Sequence, residues 1–344
     1  MQILIVTLGS IGDLMPFLVV AERARARGHR CIIASNAGYA SLVQASGFPF
    51  AAIWERGAQT LDDALARDPA RAWAQVRDQM FRPAAEPTLR CIAQVAKAAP
   101  TVVLASWSAF GAQQAHREMG VPLVSAYLSP HALTLPEAAA DPGVRTGLFP
   151  DWFAPAPVQL AGFAMPDDAQ IPPLPPELDA FLRQGAPPVV LTPGSFMRNA
   201  AGFFHAGLGA CETLGRRAVL LTPYADQVPA LPAWARHHAY INLQRLLPRA
   251  AAIFHHGGIG TAAQAMRAGI PQLLAPVFFD QFDNAARLEA LGVGRQLTQP
   301  LDGDAVAKAL NDLLPAPAAC AALAGQFAGV HAADTVCELL ERLA

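Results

Sequence analysis

Charge is scarce in this chain. Asp, Glu, Lys and Arg make up 15% of its 344 residues, and 25 basic side chains are set against 27 acidic ones, for a formal net charge of -2. Such a surface has no polycationic face with which to neutralise phosphates, so a nucleic-acid partner is excluded. Cysteine is rare too. Cys31, Cys91, Cys211, Cys320 and Cys337 are odd in number, far apart and without any C-x-x-C pair, which argues against a disulfide framework and against a zinc site. A reducing cytoplasm is the expected compartment. No uninterrupted apolar run is long enough to span a bilayer. The opening Met-Gln-Ile-Leu-Ile-Val has no basic segment, and Gly9, Ser10, Gly12 and Asp13 break the apolar stretch, so it reads as a buried strand and not as a signal peptide. Any contact with a membrane is expected to be peripheral, at the inner face.

What the chain has in quantity is apolar surface, 53% hydrophobic residues, over a length about twice that of a usual domain. Two domains are therefore expected. Residues 2–8 form an apolar run ended by a glycine-rich turn, and 14–27 follow with helical spacing. Strands are expected again at 30–34, 101–105 and 121–126, with helices at 40–46 and 109–119 between them. Strands alternating with helices imply a parallel sheet covered on both faces. Proline pairs at Pro172-Pro173, Pro175-Pro176 and Pro187-Pro188 mark residues 164–188 as a linker around one short helical stretch, 177–183. A second series follows, with strands at 189–192, 218–222, 251–254 and 272–276 and helices at 200–214 and 260–268. The expected fold is α/β: two doubly wound, Rossmann-like halves facing each other across a cleft, bounded at 1–163 and 189–344. Ligands in such sheets lie beyond the carboxyl ends of the strands.

The densest chemical signal lies at the end of one such strand, Ala252-Ile253-Phe254-His255-His256-Gly257-Gly258-Ile259-Gly260-Thr261. Glycines let backbone approach an anion, and the unpaired N–H groups at a helix N-terminus favour phosphate. Gly258-x-Gly260-x-x-Ala263 also matches the dinucleotide fingerprint, with Asp280 about twenty residues further on, so a nicotinamide-dependent oxidoreductase is a rival reading. A tight turn with no ligand is the bland one. For His256, lining the turn and binding a ligand are equal alternatives. Asp302-Gly303-Asp304 has the D-x-D form of a metal site, but it precedes a helical run at 305–314 and is expected to cap it.

The continuation, Ala268-Gly269-Ile270-Pro271-Gln272-Leu273-Leu274-Ala275-Pro276 and Asp280-Gln281-Phe282-Asp283-Asn284-Ala285, resembles the donor-binding signature of family 1 glycosyltransferases of the two-domain GT-B fold. Gly9-Ser10-Ile11-Gly12-Asp13-Leu14-x-Pro16-Phe17 and Arg27-Gly28-His29 resemble the start of the bacterial branch. Phe149 to Pro155, Ala161-Gly162-Phe163 and Thr192-Pro193-Gly194-Ser195 are similar to the rhamnosyltransferases of rhamnolipid synthesis. The resemblance implies an N-terminal acceptor domain, a C-terminal nucleotide-sugar domain, and inverting transfer of a sugar from a dTDP or UDP donor to a hydroxyl of a lipid or other hydrophobic acceptor. It implies no metal and no cofactor beyond the nucleotide sugar. Position by position, it assigns His255, Gly257, Gly258, Gly260, Thr261 and Ser195 to the diphosphate, Asp280 and Gln281 to the sugar hydroxyls, and Tyr240 to the base.

Asp13 is the base that the resemblance implies. An alcohol attacks an anomeric carbon only as its proton is being removed, and an ionised aspartate is a weak base that acts late in that step. Helix capping is the competing role for Asp13. Gly12 and Trp107 are the candidates for acceptor contact, Trp107 together with Phe110 and Tyr127, although such aromatics are more often core. Plant relatives carry a glutamate for the ribose hydroxyls two places after the threonine; here Ala263 stands there, followed by Gln264, which favours dTDP. The chain is short between about Pro136 and Leu148, where relatives wall the acceptor site. That shortening keeps open a non-catalytic sugar-nucleotide-binding partner, and an oligomer in which a second copy completes the site.

Overall fold

The computed structural model describes residues 1–55, 69–167, 171–195, 197–298, 300–315, 318–329 and 331–344. The contacts divide the chain into two compact units, Met1–Met165 with His331–Ala344, and Pro166–Val330.

Unit 1 holds a sheet of seven strands: β1 (Gln2–Val6), β2 (Arg30–Asn36), β3 (Phe50–Trp54), β4 (Thr101–Ser106), β5 (Leu123–Tyr127), β6 (Val144–Gly147) and β7 (Gln159–Leu160). Their order is β3-β2-β1-β4-β5-β6-β7, and all pairs are parallel. Side chains alternate between the faces of a strand, so every strand buried on both sides must be apolar throughout. Ile3 and Ile5 pack with Leu14, Phe17 and Val20 of helix Ile11–Ala26 on one face, while Leu4 and Val6 pack with Ile92 and Ala112 on the other.

Unit 2 repeats the plan with β8 (Val189–Thr192), β9 (Ala218–Leu221), β10 (Ala235–His238), β11 (Ala252–His255), β12 (Gln272–Leu274) and β13 (Gly294–Gln296), in the order β10-β9-β8-β11-β12-β13. Phe254 and Leu191 pack with Phe204 and Leu310 on one face, whereas Ile253 and Val190 pack with Ala265, Leu246 and Phe181 on the other. Both sheets are doubly wound, and in each the first strand lies at the point where the order reverses.

The last helix, Ala332–Glu341, departs from the boundary expected at 189–344. Val336, Cys337 and Leu340 are fully buried in the core beside helix Ile11–Ala26, which places His331–Ala344 with unit 1. The polar rim of this contact uses the Arg27-Gly28-His29 segment. Arg27 grips Glu341 with two hydrogen bonds of 2.8 and 2.6 Å, His29 Nε2 lies 2.7 Å from Glu341 Oε1, and Arg23 grips Asp334 at 2.6 and 2.7 Å. Hydrogen bonds from Arg27 and His29 hold the Glu341 carboxyl down to about 2. Exposed ion pairs add little stability, so attachment rests on the apolar side chains. Leu340→Ala is accordingly expected to destabilise unit 1 by about 2–5 kcal/mol, the cost of an unfilled core cavity. Glu341→Gln should change stability much less. Thermal unfolding of the two variants tests this ranking, and equal losses would contradict it.

Candidate functional site

In unit 1 the loop after β1 runs into helix Ile11–Ala26 at the reversal of strand order, where open α/β sheets bind ligands. Ser10 caps the helix, its Oγ accepting from the Gly12 N–H at 3.1 Å. Asp13 returns the bond: its Oδ2 accepts from the Ser10 N–H at 2.6 Å and from Ser10 Oγ–H at 2.7 Å. This reciprocal arrangement is a capping box with aspartate in place of the usual glutamate. Asp13 is thus held at one oxygen in a half-buried position, and burial pushes its carboxyl up from the ordinary value against the pull of the Ser10 donors. The raised value makes it a stronger base than an exposed aspartate. Gly9, at φ 120°, is required by this geometry, because a Cβ there would lie 2.5 Å from Asp13 Oδ2. Gly12 is exposed, and Pro16, having no N–H, cannot give the Gly12 carbonyl its usual helical donor.

Trp107 follows β4 and is half-buried. Its ring stacks on Tyr127 at 6.0 Å and on Trp73 at 5.3 Å, with Phe81 edge-on at 6.3 Å. Tyr127 is fully buried and donates to Asp141 Oδ2 at 2.7 Å. Of this cluster Trp107 and Trp73 keep exposed surface, while Tyr127 belongs to the core.

In unit 2, β11 ends at His255 and the turn His256-Gly257-Gly258 opens helix Ile259–Ala268, with Gly258 as its N-cap. His255, to which the resemblance gave a phosphate contact, is the last residue of β11. Period two along the strand puts it on the inner face with Ile253, and it is fully buried. Nδ1 accepts from the Gly257 N–H at 3.1 Å, and Nε2 lies 3.0 Å from Gln272 Oε1, which fixes the proton on Nε2. Both nitrogens are used internally, and burial pushes the imidazole down to about 3. The half-buried His256 is the ring that lines the turn. A Cβ added at Gly258 would lie 2.4 Å from His256 Nε2, and one at Gly194 2.9 Å from it. Burial lowers His256 to about 4, so it too is neutral at physiological pH.

The remaining positions follow the carboxyl ends of the strands of the same sheet. Ser195 is exposed just after β8, beyond Gly194, and Thr261 is half-buried and Gly260 exposed in the first turn of helix Ile259–Ala268. Tyr240 follows β10 and is 66% exposed, a broad ring face open to a planar partner. Asp280 lies well beyond β12, at the N-cap of helix Gln281–Ala290, and not at a strand end as in the dinucleotide fingerprint. Gln281 Oε1 accepts from the Val277 and Phe278 N–H groups at 2.9 and 3.0 Å, which pins the loop and turns the amide nitrogen away from it. That loop holds Phe279, the one non-glycine residue at positive φ, 49°, among the described residues. Ala263 is buried in the core, so the helix presents Gln264 outward instead. Asp302 caps helix Gly303–Leu313 and accepts from the Asp304 N–H at 3.3 Å. Asn284 and Gln272, both fully buried, are partners whose roles were not anticipated from the sequence.

Residues 218–342 match the family model of the erythromycin biosynthesis protein CIII-like C-terminal domain. Glycosyltransferase GtfE of Amycolatopsis orientalis is 41% identical over 141 residues, 40% of this chain and 33% of that protein. The vancomycin aglycone glucosyltransferase of the same organism is 38% identical over 186 residues, 54% of this chain and 44% of its own length. The chain spans less than half the length of these curated relatives. Over nearly the whole chain, the spinosyn rhamnosyltransferase SpnG complexed with thymidine diphosphate superimposes with a TM-score of 0.79 at 23% identity, covering 98% of this chain and 100% of that one. The fold is GT-B.

The buried neutral histidine has a measurable consequence. His255 titrates near 6.5 when unfolded and about 3 when folded, so its contribution to stability is fully present above pH 6.5 and is lost as pH falls from there toward 3. The slope approaches about 1.4 kcal/mol per pH unit well below 6.5. Between pH 6.5 and 5 the melting temperature is expected to fall, and His255→Gln to flatten that fall. An unchanged slope in the variant would rule out a neutral buried imidazole.

Proposed function

We propose that this protein is an inverting, metal-independent glycosyltransferase. It moves a sugar, with rhamnosyl from dTDP-rhamnose as one candidate, from a nucleoside diphosphate to a hydroxyl of a hydrophobic small molecule. The observation that carries the reading is the glycine turn at Gly257-Gly258, where the N-terminus of helix Ile259–Ala268 and the imidazole of His256 meet Gly194. Unpaired N–H groups with a neutral imidazole donor suit a diphosphate. Gly258, Gly260, Thr261 and Ser195 supply further donors, and Tyr240 offers its exposed face to the base. Asp280 and the amide of Gln281 take sugar hydroxyls. These roles leave His255 to hold the turn from beneath.

Asp13 takes the acceptor proton. With Oδ2 held by Ser10, the carboxylate is oriented, and its raised proton affinity suits a base that acts as the acceptor oxygen attacks the anomeric carbon and the diphosphate departs from the opposite face. One displacement gives inversion. Trp107 and Trp73 offer an aromatic wall to a flat or lipid acceptor, and the released Gly12 carbonyl an anchor for its hydroxyl. The curated relatives, a vancomycin aglycone glucosyltransferase among them, and a GT-B neighbour solved with thymidine diphosphate and separately with spinosyn aglycone, support transfer to a natural product.

Asp13→Asn is expected to abolish transfer while leaving dTDP and UDP affinity nearly unchanged, and His256→Ala to weaken nucleotide binding by about tenfold, one charge-assisted hydrogen bond. Calorimetry with dTDP, UDP, their sugars and NAD, together with diphosphate release, decides among the alternatives. Normal turnover in Asp13→Asn would remove it as the base, and binding of NAD alone would overturn the assignment. The acid limb of kcat/KM should lie above the ordinary aspartate value, since the pKa of Asp13 is raised.

A further inference from the structure

The diphosphate turn and the sugar-facing loop belong to different elements, and a buried amide joins them. Asn284 is fully buried on helix Gln281–Ala290. Its Nδ2 carries two hydrogens at a fixed angle: one goes to the Gly257 carbonyl at 3.0 Å, the other to Asp280 Oδ2 at 2.8 Å. The N–H of Gly257 is taken by His255 Nδ1, so both polar groups of this glycine are clamped, one by an imidazole and one by an amide. Gly257 sits at φ 86° hard against the same helix, where a Cβ would come 2.9 Å from the Gln281 carbonyl. No carboxylate or aliphatic side chain could serve both acceptors. The amide is kept although its own Oδ1 is buried without a partner among the described residues, a cost that an apolar packing residue would avoid.

We infer that Asn284 is a positioning residue that ties the orientation of the Asp280 carboxylate to the Gly257 turn, so that recognition of the donor sugar depends on the same scaffold as recognition of the diphosphate. The inference rests on the reading of Asp280 as a sugar ligand and of Gly257 as part of the phosphate turn. It predicts coupling between Asn284 and Asp280 that packing alone would not produce.

The test is a double-mutant cycle with Asn284→Ala, Asp280→Ala and both together, using dTDP against dTDP-glucose and UDP against UDP-glucose in calorimetric titrations. Asn284→Ala is expected to weaken the nucleotide sugar about tenfold more than the bare nucleotide, and this selective loss should vanish when Asp280 is already alanine. A variant of similar volume, Asn284→Leu, loses both donations while filling the space and should show the same selective loss, which keeps the test open should the alanine variant fail to fold. Equal weakening of sugar and bare nucleotide, or an undiminished selective loss in the Asp280→Ala background, would overturn the inference while leaving the glycosyltransferase reading intact. A wild-type protein that binds none of the four probes would overturn that reading itself.

Discussion

A buried imidazole that accepts a backbone hydrogen bond is the constraint on which unit 2 turns. His255 can accept from the Gly257 N–H only while it is neutral and protonated on Nε2, and Gln272 holds it in that form. Protonation would put a donor where an acceptor is needed and a charge where no water reaches. From this one contact follows the left-handed bend at Gly257, and from the bend follow the exit of the chain from β11, the place of His256 and the start of helix Ile259–Ala268. The apolar sheet sets where the turn can be, and the imidazole sets its shape.

Unit 1 solves a related problem with opposite chemistry. There a carboxylate takes two donors from Ser10 in a half-buried pocket. Capping and catalysis, which read as competing explanations of Asp13, are compatible because capping uses Oδ2 and fixes the plane of the group, and an oriented base is worth more than a mobile one. Each unit thus spends a polar side chain on the first turn after a strand at the reversal of its sheet, and each needs a glycine where a Cβ would strike that side chain or its neighbours.

The fold was legible because parallel strands buried on both faces are nearly continuous apolar runs. β1, β4, β8 and β11 fall within a residue or two of the stretches expected from the sequence, and the helices that follow them within three. Among the missed strands, β7, β10 and β13 are two to four residues long and stand at sheet edges, as does β3 with five, while β6 lies next to an edge. Helix Ala85–Ala98 has a clear amphipathic face, with Thr88 and Ile92 inward, and was legible in principle. The glycine turn after β11 could be read from residue type. Which of two adjacent histidines faces outward could not, because it depends on where β11 ends, and one residue of register exchanges the faces. Asn284 was visible as a letter in a motif, but its role needs two acceptors from separate segments, which no linear spacing reveals.

Because helix Ala332–Glu341 completes the core that β1 and helix Ile11–Ala26 begin, unit 2 is inserted in sequence between the two parts of unit 1. On a ribosome unit 2 can therefore fold to completion while residues 1–165, which emerge before it, wait with their core unsealed until Val336 and Leu340 leave the exit tunnel. The unit bearing Asp13 starts before unit 2 and is completed after it.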